Sequence, residues 1–210
     1  MLRMTQAAEP RRSFNLSPRD LSELVTATHP TRLAARLDTQ LSAATVARLQ
    51  KSPRLQSRIA ELLLDNQMDF DEHGWGPDLL RGHDPGRAAL LAGGIWHARS
   101  LLRMISKPDL VALIGRIGAE AHAFGIRNLP HAIATRPIAD PQKLAHRIEH
   151  DGYACLGAWL DDSSVLDRNR VLLRLPAGTA AEHPAAEHRN AAGQLFSLVL
   201  AHLVTEMPAI

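Results

Sequence analysis

The sequence has almost no cysteine and few aromatic residues. Cys155 is the single cysteine among 210 residues, so an internal disulfide is impossible and a reducing compartment suits the chain. Aromatic residues make up only 4% of the sequence. The core must therefore consist of Leu, Ala, Ile and Val, a composition more typical of helix packed on helix than of sheets. This scarcity favours an all-α protein.

Long apolar runs are missing as well. No stretch reaches the ~18 consecutive apolar residues needed to cross a bilayer, and MLRMTQAAEPRR at the N-terminus lacks the apolar segment of a signal peptide. We therefore expect a cytoplasmic protein with no direct membrane insertion. Hydrophobic residues at 45% and charged residues at 22% are ordinary values for a globular chain, so we expect it to fold.

The net charge of +2 is unevenly distributed. Residues 1–64 contain ten Lys and Arg against five Asp and Glu, whereas residues 65–84 contain one basic residue against six acidic ones. Such asymmetry is typical of charge complementarity within a molecule or with a charged protein partner. A nucleic-acid partner is disfavoured, because the arginines are scattered and no aromatic residues lie between them to stack on bases.

Signals for the start of a helix recur along the chain. A Ser or Asp that can cap a helix directly precedes proline at Ser17-Pro18, Ser52-Pro53, Asp84-Pro85 and Asp140-Pro141. Apolar residues with helical spacing lie within 55–63, 90–105 and 110–117, and further helices are predicted at about 42–51, 140–161 and 186–206. These patterns predict about seven to nine helices in one compact all-α domain.

Composition also predicts the domain organisation. Residues 1–13 are predicted to form a flexible N-terminus, and residues 14–210 a single helical domain. The Gly- and Pro-rich stretch 74–86 is the candidate for a subdomain boundary. VLLRLP, residues 171–176, is short, apolar and ends in proline, and it predicts a short extended segment near 171–175.

HRIEH, from His146 to His150, is the most specific candidate for a catalytic site in the sequence. H-x-x-E-H on a helix is the pattern of a zinc metallopeptidase, in which the two histidines bind zinc and the glutamate activates water. On a helical projection with ~100° per residue, both histidines lie opposite the apolar stripe of Leu144, Ile148 and Cys155. A solvent-exposed helix surface is therefore the favoured interpretation, and no metal or other cofactor is expected.

Three further features are interpreted structurally. His183 and His188 lie at the start of the last predicted helix, where a capping or solvent role is favoured. Cys155 lies in an apolar stripe, where burial would raise the pKa of its thiol and leave it unreactive. Gly115 and Gly118 have no preceding strand, so close packing between helices is favoured over a dinucleotide-binding loop.

DFDEHGWGP, residues 69–77, concentrates three carboxylates with a histidine, a tryptophan and two glycines. The spacing does not match a calcium loop, which places ligands at alternate positions and a glutamate at the twelfth. We interpret the stretch as a polar turn after a helix over 54–67, with Phe70 and Trp75 packed against the core. The alternative is a loop that docks a protein.

Several short stretches occur in an order that resembles one bacterial family. They are FNLSP and THPTRL near the N-terminus, ELLLDNQMDFDEHGWGP, LLAGGIWHARSLLRMISKPDLVALIGRIG, GYACLGAWL, and VLLRLP before the closing helix. Together, over residues 14–206, they resemble the accessory protein of the type III secretion sorting platform, the YscK/PscK (SctK) family.

The resemblance implies a non-enzymatic cytoplasmic adaptor that is peripheral to the inner membrane through its partners. The implied partners are the cytoplasmic domain of the inner-membrane ring protein and the C-ring-like pod protein. No cofactor and no catalytic residue are implied. The candidate partner-binding residues come from the acidic turn and from exposed arginines of the N-terminal region: Asp69, Asp71, Glu72 and Trp75, then Arg32 and Arg36, with Arg11 and Arg12 beside them.

Two alternative functions stay open at this point. The HxxEH motif would make the chain a zinc metallopeptidase, and stoichiometric bound zinc would reveal it. A type III secretion chaperone would be revealed by the identity and stoichiometry of its partner. Such chaperones are commonly small acidic dimers, whereas this chain is not acidic.

Overall fold

The computed structural model of the protein describes residues 17–37, 41–64 and 78–205. Within these ranges the chain forms eleven α-helices and two short 3₁₀ turns, with no strand, so the all-α prediction is confirmed. The helices are α1 (Pro18–Ala27), α2 (Pro30–Arg36), α3 (Ala43–Gln50), α4 (Gln56–Leu64), α5 (Pro85–Trp96), α6 (Ala98–Arg103), α7 (Lys107–Ile117), α8 (Ala119–Arg127), α9 (Pro141–Leu160), α10 (Val165–Leu172) and α11 (Ala186–Thr205). The 3₁₀ turns are Leu129–His131 and Ala180–Glu182.

Eleven described helices exceed the seven to nine predicted, because the chain turns where the apolar pattern gives no signal. The run over 90–105 is divided at His97, whose backbone (φ −101°, ψ 19°) separates α5 from α6. Gly118, with a φ of 85°, ends α7 before α8 begins. A further helix, α2, is capped by His29, whose Nδ1 accepts a hydrogen bond from the N–H of Thr31 at 3.3 Å.

Three of the four predicted helix starts are confirmed. The side chains of Ser17, Asp84 and Asp140 each accept a hydrogen bond from the backbone N–H three residues later, at the first turns of α1, α5 and α9. The predicted start at Ser52 is wrong. There the N–H of Leu55 donates to the carbonyl of Ser52 in a turn, and α4 begins only at Gln56.

The predicted extended segment near 171–175 is also wrong. Ser164 caps α10 by accepting a hydrogen bond from the N–H of Asp167, and the helix continues to Leu172. The chain then turns, with the N–H of Leu175 donating to the carbonyl of Leu172 at 3.1 Å. Val171, Leu172 and Leu175 are buried in the main core, which explains the apolar pattern without a strand.

α9 lies at the centre of the molecule and packs against α5, α7 and α11. Its Trp159 ring stacks on Phe196 of α11 with the ring centroids 4.9 Å apart. On another side, Leu144 and Ile148 pack with Leu113 of α7. Full burial of an aliphatic or aromatic side chain of this kind contributes about 1.5–3 kcal/mol relative to exposure.

Glycines set the close spacing of α5, α8 and α9. A Cβ on Gly93 of α5 would overlap the carbonyl oxygen of Ile148 on α9, and Gly152 of α9 meets α5 in the same way. A Cβ on Gly94 would lie 2.6 Å from the carbonyl oxygen of Ala121 on α8. Side chains are therefore excluded where these helices cross, and the backbones themselves are in contact.

The packing role predicted for Gly115 and Gly118 is wrong. A Cβ added to either residue would meet nothing within 4 Å. Gly115 lies on the exposed side of α7, whereas Gly118 serves as the C-terminal cap of that helix. The exposed side of α7 therefore has no helix against it within the part of the chain that the structure describes.

α1 to α4 pack around a core of their own, built from Leu24, Val25, Leu33, Val46, Ile59, Ala60, Leu63 and Leu64. Two contacts near the start of α2 join this bundle to the rest. The N–H of His29 donates to the carbonyl of Leu173 at 2.7 Å, and Arg32 Nε donates to the carbonyl of Leu175 at 2.8 Å. The subdomain boundary near 74–86 falls between the two sets of helices and stays a prediction.

The longest described helices, α9 and α11, have 20 residues each. Charged residues interrupt α9 at Lys143, Arg147, Glu149 and Asp151. Neither these two nor any other helix in the described ranges has both the length and the apolar character required to cross a bilayer.

Candidate functional site

One carboxylate is buried at the centre of the helical body. Asp151 lies on α9 between Ile148 and Cys155, and its side chain is 1% exposed. At ~100° per residue from Leu144 it falls at about −20°, inside the apolar stripe of the helix. Burying a carboxylate is costly unless it is paired and hydrogen-bonded, so its partners define the site.

Four side chains surround the carboxylate of Asp151. His97 Nε2 lies 2.8 Å and Arg147 Nη2 3.1 Å from Oδ2. His150 Nδ1 lies 2.9 Å and His188 Nε2 3.4 Å from Oδ1. His97 and His188 are themselves buried, so the site joins the α5–α6 break and α11 to the middle of α9.

The surroundings of Asp151 keep it ionised. Burial by itself raises the pKa of this carboxyl, but the hydrogen bonds from His97 and His150 and the charge of Arg147 outweigh it and hold the pKa well below its usual range. The hydrogen bond from His97 requires the proton of that imidazole to be on Nε2. The result is a buried anion whose hydrogen-bond donors come from its own helix and from the α5–α6 break.

His188 overturns a prediction made from the sequence. The capping or solvent role expected for it is wrong, because its side chain is 4% exposed and its ring stacks on Trp96 with centroids 4.8 Å apart. Its Nε2 stands 3.4 Å from Asp151 without hydrogen-bond geometry, and its Nδ1 has no hydrogen-bond partner among the described residues. His183, by contrast, is exposed as expected.

Two other polar groups of the interior are the thiol of Cys155 and the hydroxyl of Ser100. Cys155, one helical turn further along α9, is fully buried; burial, and then the charge of Asp151, raises the pKa of its thiol. The interpretation of Cys155 as a buried core thiol is confirmed. The buried hydroxyl of Ser100 accepts a hydrogen bond from the N–H of Ile138 at 3.1 Å. The contact between His97 and Asp151 is that of a polar anchor between α9 and the α5–α6 break.

The polar residues of the HRIEH motif lie on the surface of α9, whereas its Ile148 is buried. His146 and His150 are exposed, as predicted, with their ring centroids 6.4 Å apart. His150 is directed at Asp151, and Glu149 is exposed. Within residues 17–37, 41–64 and 78–205, no group of three or more His, Cys, Asp or Glu side chains is arranged to hold a metal ion.

A cleft of about 450 Å³ opens beside this face of α9. Arg87 of α5 and Glu120 of α8 form a two-bond ion pair in its wall, with nitrogen–oxygen distances of 2.8 and 2.6 Å. The hydrogen bond from Arg87 lowers the pKa of Glu120, and burial raises the pKa of Tyr153 at the other side of the cleft. The Arg87–Glu120 pair is thus engaged in joining α5 to α8.

The predicted partner-binding residues differ in whether the structure describes them and in how exposed they are. The acidic-turn residues Asp69, Asp71, Glu72 and Trp75 lie outside the described residues, as do Phe70, Arg11 and Arg12. Arg36 is the exposed last residue of α2. The exposure predicted for Arg32 is wrong, because its side chain is 16% exposed and its Nη2 lies 2.8 Å from Glu182 Oε1. Partner binding by all of these residues stays a prediction.

Large apolar side chains remain exposed around the connection from α6 to α7. Ile105 is 91%, Val111 62% and Leu102 54% exposed. The sequence pattern places Leu102 and Ile105 in a buried helical stripe, but the structure exposes both side chains, and Ile105 lies after the end of α6. With the exposed face of α7, they form what we call the α7 surface: Leu102, Ile105, Pro108, Val111, Ala112 and Gly115.

Comparison with known proteins supplies the family. The nodulation protein NolU of Sinorhizobium fredii (strain NBRC 101917 / NGR234) is 66% identical to this chain over 203 residues, which cover 97% of this chain and 96% of that protein. The chain belongs to the NolU family. The nodulation protein NolU of Rhizobium fredii matches with the same identity and coverage. No family model and no solved structure matches the chain.

The Asp151 site of this NolU-family chain was missed by the sequence reasoning, although two signals point to it. Asp151 occupies a position in α9 where the helical pattern requires an apolar residue. His97 interrupts the apolar run LLAGGIWHARSLL in the same way. A polar residue inside an apolar stripe indicates a buried polar contact, although the pattern does not say with which residue.

Proposed function

We propose that the chain is a non-enzymatic cytoplasmic adaptor of a bacterial type III secretion apparatus. In this role it connects the cytoplasmic domain of the inner-membrane ring protein to the C-ring-like pod protein of the sorting platform, and these partners hold it at the inner membrane. The resemblance of the sequence to the YscK/PscK family supports the proposal. The nodulation name of the relatives agrees with it, because nodulation joins a bacterium with a plant host and secretion is one means of acting on host cells.

The observation that carries the proposal is the contrast between the interior and the surface. Inside, Asp151 and His97 are engaged in contacts between helices. On the surface, the side chains of Ile105 and Val111 are exposed to solvent. Clustered apolar side chains on the surface of a packed protein are typical of sites that bind other proteins. A firmly packed body with an apolar docking surface is what an adaptor between two proteins requires.

Charge would assist the docking. Opposite charges across an interface mainly raise the association rate, whereas a small buried apolar centre supplies most of the affinity. The acidic residues Asp69, Asp71 and Glu72 with Trp75 combine both features in one stretch of sequence. A basic partner surface would fit them.

Binding to the two purified partners tests the proposal. The wild-type chain is mixed with the cytoplasmic domain of the ring protein and with the pod protein, separately and together, and the masses of the complexes are measured by light scattering. We expect a complex with each partner and a ternary complex with both. Failure to bind either protein would overturn the adaptor function, and binding to a secreted protein instead would indicate a chaperone.

Metal analysis separates the adaptor from a zinc metallopeptidase. We expect the purified chain to contain zinc far below one atom per molecule. Stoichiometric zinc that is lost in the double variant His146→Ala and His150→Ala would support the metallopeptidase instead.

A further inference from the structure

The α7 surface is the part of the described chain where large exposed apolar side chains are closest together in sequence. Eight large apolar residues are exposed in the described ranges, and Leu102, Ile105 and Val111 lie within ten positions of one another. Consecutive Cα atoms are 3.8 Å apart and a helix rises 1.5 Å per residue. The Cα atoms of Leu102 and Ile105, and those of Ile105 and Val111, are therefore at most about 15 Å apart. Isolated exposed leucines are ordinary, but a local group of this kind marks a binding surface.

The exposed face of α7 has the form of a helix-packing face. Pro108, Val111, Ala112 and Gly115 recur with the spacing of one side of a helix, and each is exposed. The opposite side of α7 buries Leu113 and Ile117 against α6 and α9. α7 therefore has two apolar sides, of which only one is covered within the described ranges.

The small residues on this face favour a helix as the occupant. Inside the molecule, α5 packs on α9 at Gly93 and Gly152 and on α8 at Gly94 and Gly125, where no side chain separates the backbones. Gly115 and Ala112 would allow the same close approach from outside, because nothing lies within 4 Å of a Cβ added at Gly115. The ridge of another helix fits a groove formed by residues with this spacing.

The charges around the α7 surface indicate the chemistry of that helix. Arg103 and Lys107 lie at its start and Arg116 at its far end, all exposed, and none of the three forms an ion pair with a described residue. Arg99 donates to the carbonyl of Ala134, which is uncharged. The one carboxylate between positions 98 and 118, that of Asp109, lies in the first turn of α7 and is half-buried. A partner with carboxylates would find complementary charge here.

We infer that the α7 surface binds an amphipathic helix of a partner protein whose apolar stripe is flanked by Asp and Glu. The inference rests on the proposed adaptor function, for which it names one docking site and the chemistry of the segment that fills it. Val111 and Ile105 form the apolar centre of the contact, Gly115 and Ala112 permit close approach, and Arg103, Lys107 and Arg116 pair with the acidic edges.

The test compares Val111→Glu with Val165→Glu. Val165 is 67% exposed at the start of α10 and provides a matched control, since both changes add the same charge at an exposed valine of a helix. Affinity for the purified ring domain and pod protein is measured by calorimetry, and circular dichroism checks that both variants fold. We expect Val111→Glu to weaken binding to one of the two partners at least ten-fold and Val165→Glu to leave both affinities unchanged.

The outcomes separate this inference from the proposed function. If the wild-type chain binds a partner and Val111→Glu binds equally well, the α7 surface is not the docking site, while the adaptor function stands. If the wild-type chain binds neither protein, the adaptor function fails. A photocrosslinking amino acid at position 111, with position 165 as control, then decides the inference in living cells of the source bacterium.

The crosslinked peptide identifies what occupies the α7 surface. An adduct at position 111, absent at position 165, whose partner peptide is an acidic amphipathic helix supports the inference. No adduct, a basic or non-helical peptide, or a second copy of this chain would each overturn it.

Discussion

His97 and Asp151 form the shortest contact of the buried site, with Nε2 of the imidazole 2.8 Å from Oδ2 of the carboxylate. They come from regions 54 residues apart in the sequence. The contact fixes the break between α5 and α6 against the middle of α9. Leu102 and Ile105 follow that break in the sequence, and both side chains are exposed.

Asp151→Asn should destabilise the fold strongly. The substitution keeps the shape of the side chain but removes the charge that His97, His150 and Arg147 surround. Removing one member of a buried ion pair typically costs about 3–5 kcal/mol. We expect a loss of this size in the free energy of unfolding, measured by urea denaturation.

Glu149→Gln provides the control for that change, because Glu149 lies two residues earlier on α9 and is exposed. Its effect should stay within about 0.5 kcal/mol. Equal stability losses for the two variants would show that Asp151 has no special role in the core.

The same carboxylate should make stability depend on pH. The pKa of Asp151 is lower in the folded protein than its ordinary value of 3.8, so the unfolded chain takes up the proton first. The contribution of Asp151 to the free energy of unfolding is therefore complete above about pH 5. It declines as the pH falls through the ordinary pKa of the carboxyl toward its lower pKa in the folded protein. The difference in unfolding free energy between wild type and Asp151→Asn should shrink between pH 5 and pH 3. A constant difference over that interval would contradict the assignment.

Local sequence signals predicted the helices well. Ser17, Asp84 and Asp140 start helices through hydrogen bonds to N–H groups only three residues away, so the neighbouring residues suffice to determine the structure. His97, at the break between α5 and α6, contacts instead a carboxylate 54 positions further along the chain. No local pattern contains that information, which is why the apolar run over 90–105 was predicted as one helix.

The buried site was harder to predict for a related reason. Helical periodicity places Asp151 on the apolar side of α9, but it does not show which helix packs there. His188 illustrates the difficulty, because its place near Pro184 indicates a surface position, whereas the path of α11 brings its ring onto Trp96. The packing role predicted for Gly115 was wrong for the same reason. Gly115 and Gly93 both lie in apolar helices, and only the folded structure shows that Gly93, and not Gly115, contacts the backbone of another helix.

Gly93→Ala and Gly115→Ala should have opposite effects on stability. The Cβ of Ala at 93 would overlap the backbone of α9 at Ile148, and overpacking of this kind costs about 1–3 kcal/mol, with larger values where backbone must move. The Cβ at 115 meets open space, and alanine is the better helix former by about 0.5–1 kcal/mol. Thermal unfolding of the two variants should show a lower midpoint for the first and an equal or higher one for the second. A loss of stability in Gly115→Ala would indicate a contact on α7 that the described fold does not contain.

Arg32→Ala should weaken the attachment of the N-terminal bundle. The guanidinium of Arg32 donates hydrogen bonds to the carbonyls of Leu175 and Pro176 and to the carboxylate of Glu182. The change to alanine removes all three hydrogen bonds. We expect a loss of about 1–3 kcal/mol in the free energy of unfolding. The control is Arg58→Ala, which breaks an exposed pair with Glu61 inside α4 and should cost at most about 0.5 kcal/mol. Similar losses for both would mean that Arg32 contributes no more than a surface pair.

Reversing the charge of the acidic stretch should weaken binding to one partner of the proposed adaptor without affecting the fold. The triple change Asp69→Lys, Asp71→Lys and Glu72→Lys replaces three of the six acidic residues in 65–84. Because charged groups at the edge of an interface act mainly on association, we expect at least a ten-fold lower association rate and a weaker dependence on salt. Surface plasmon resonance at low and moderate salt measures both quantities. The matched control reverses the exposed residues Glu149, Asp162 and Glu187, which changes the net charge equally. If both triple variants slow association to the same extent, total charge rather than this stretch governs docking, and the acidic residues are not a specific contact.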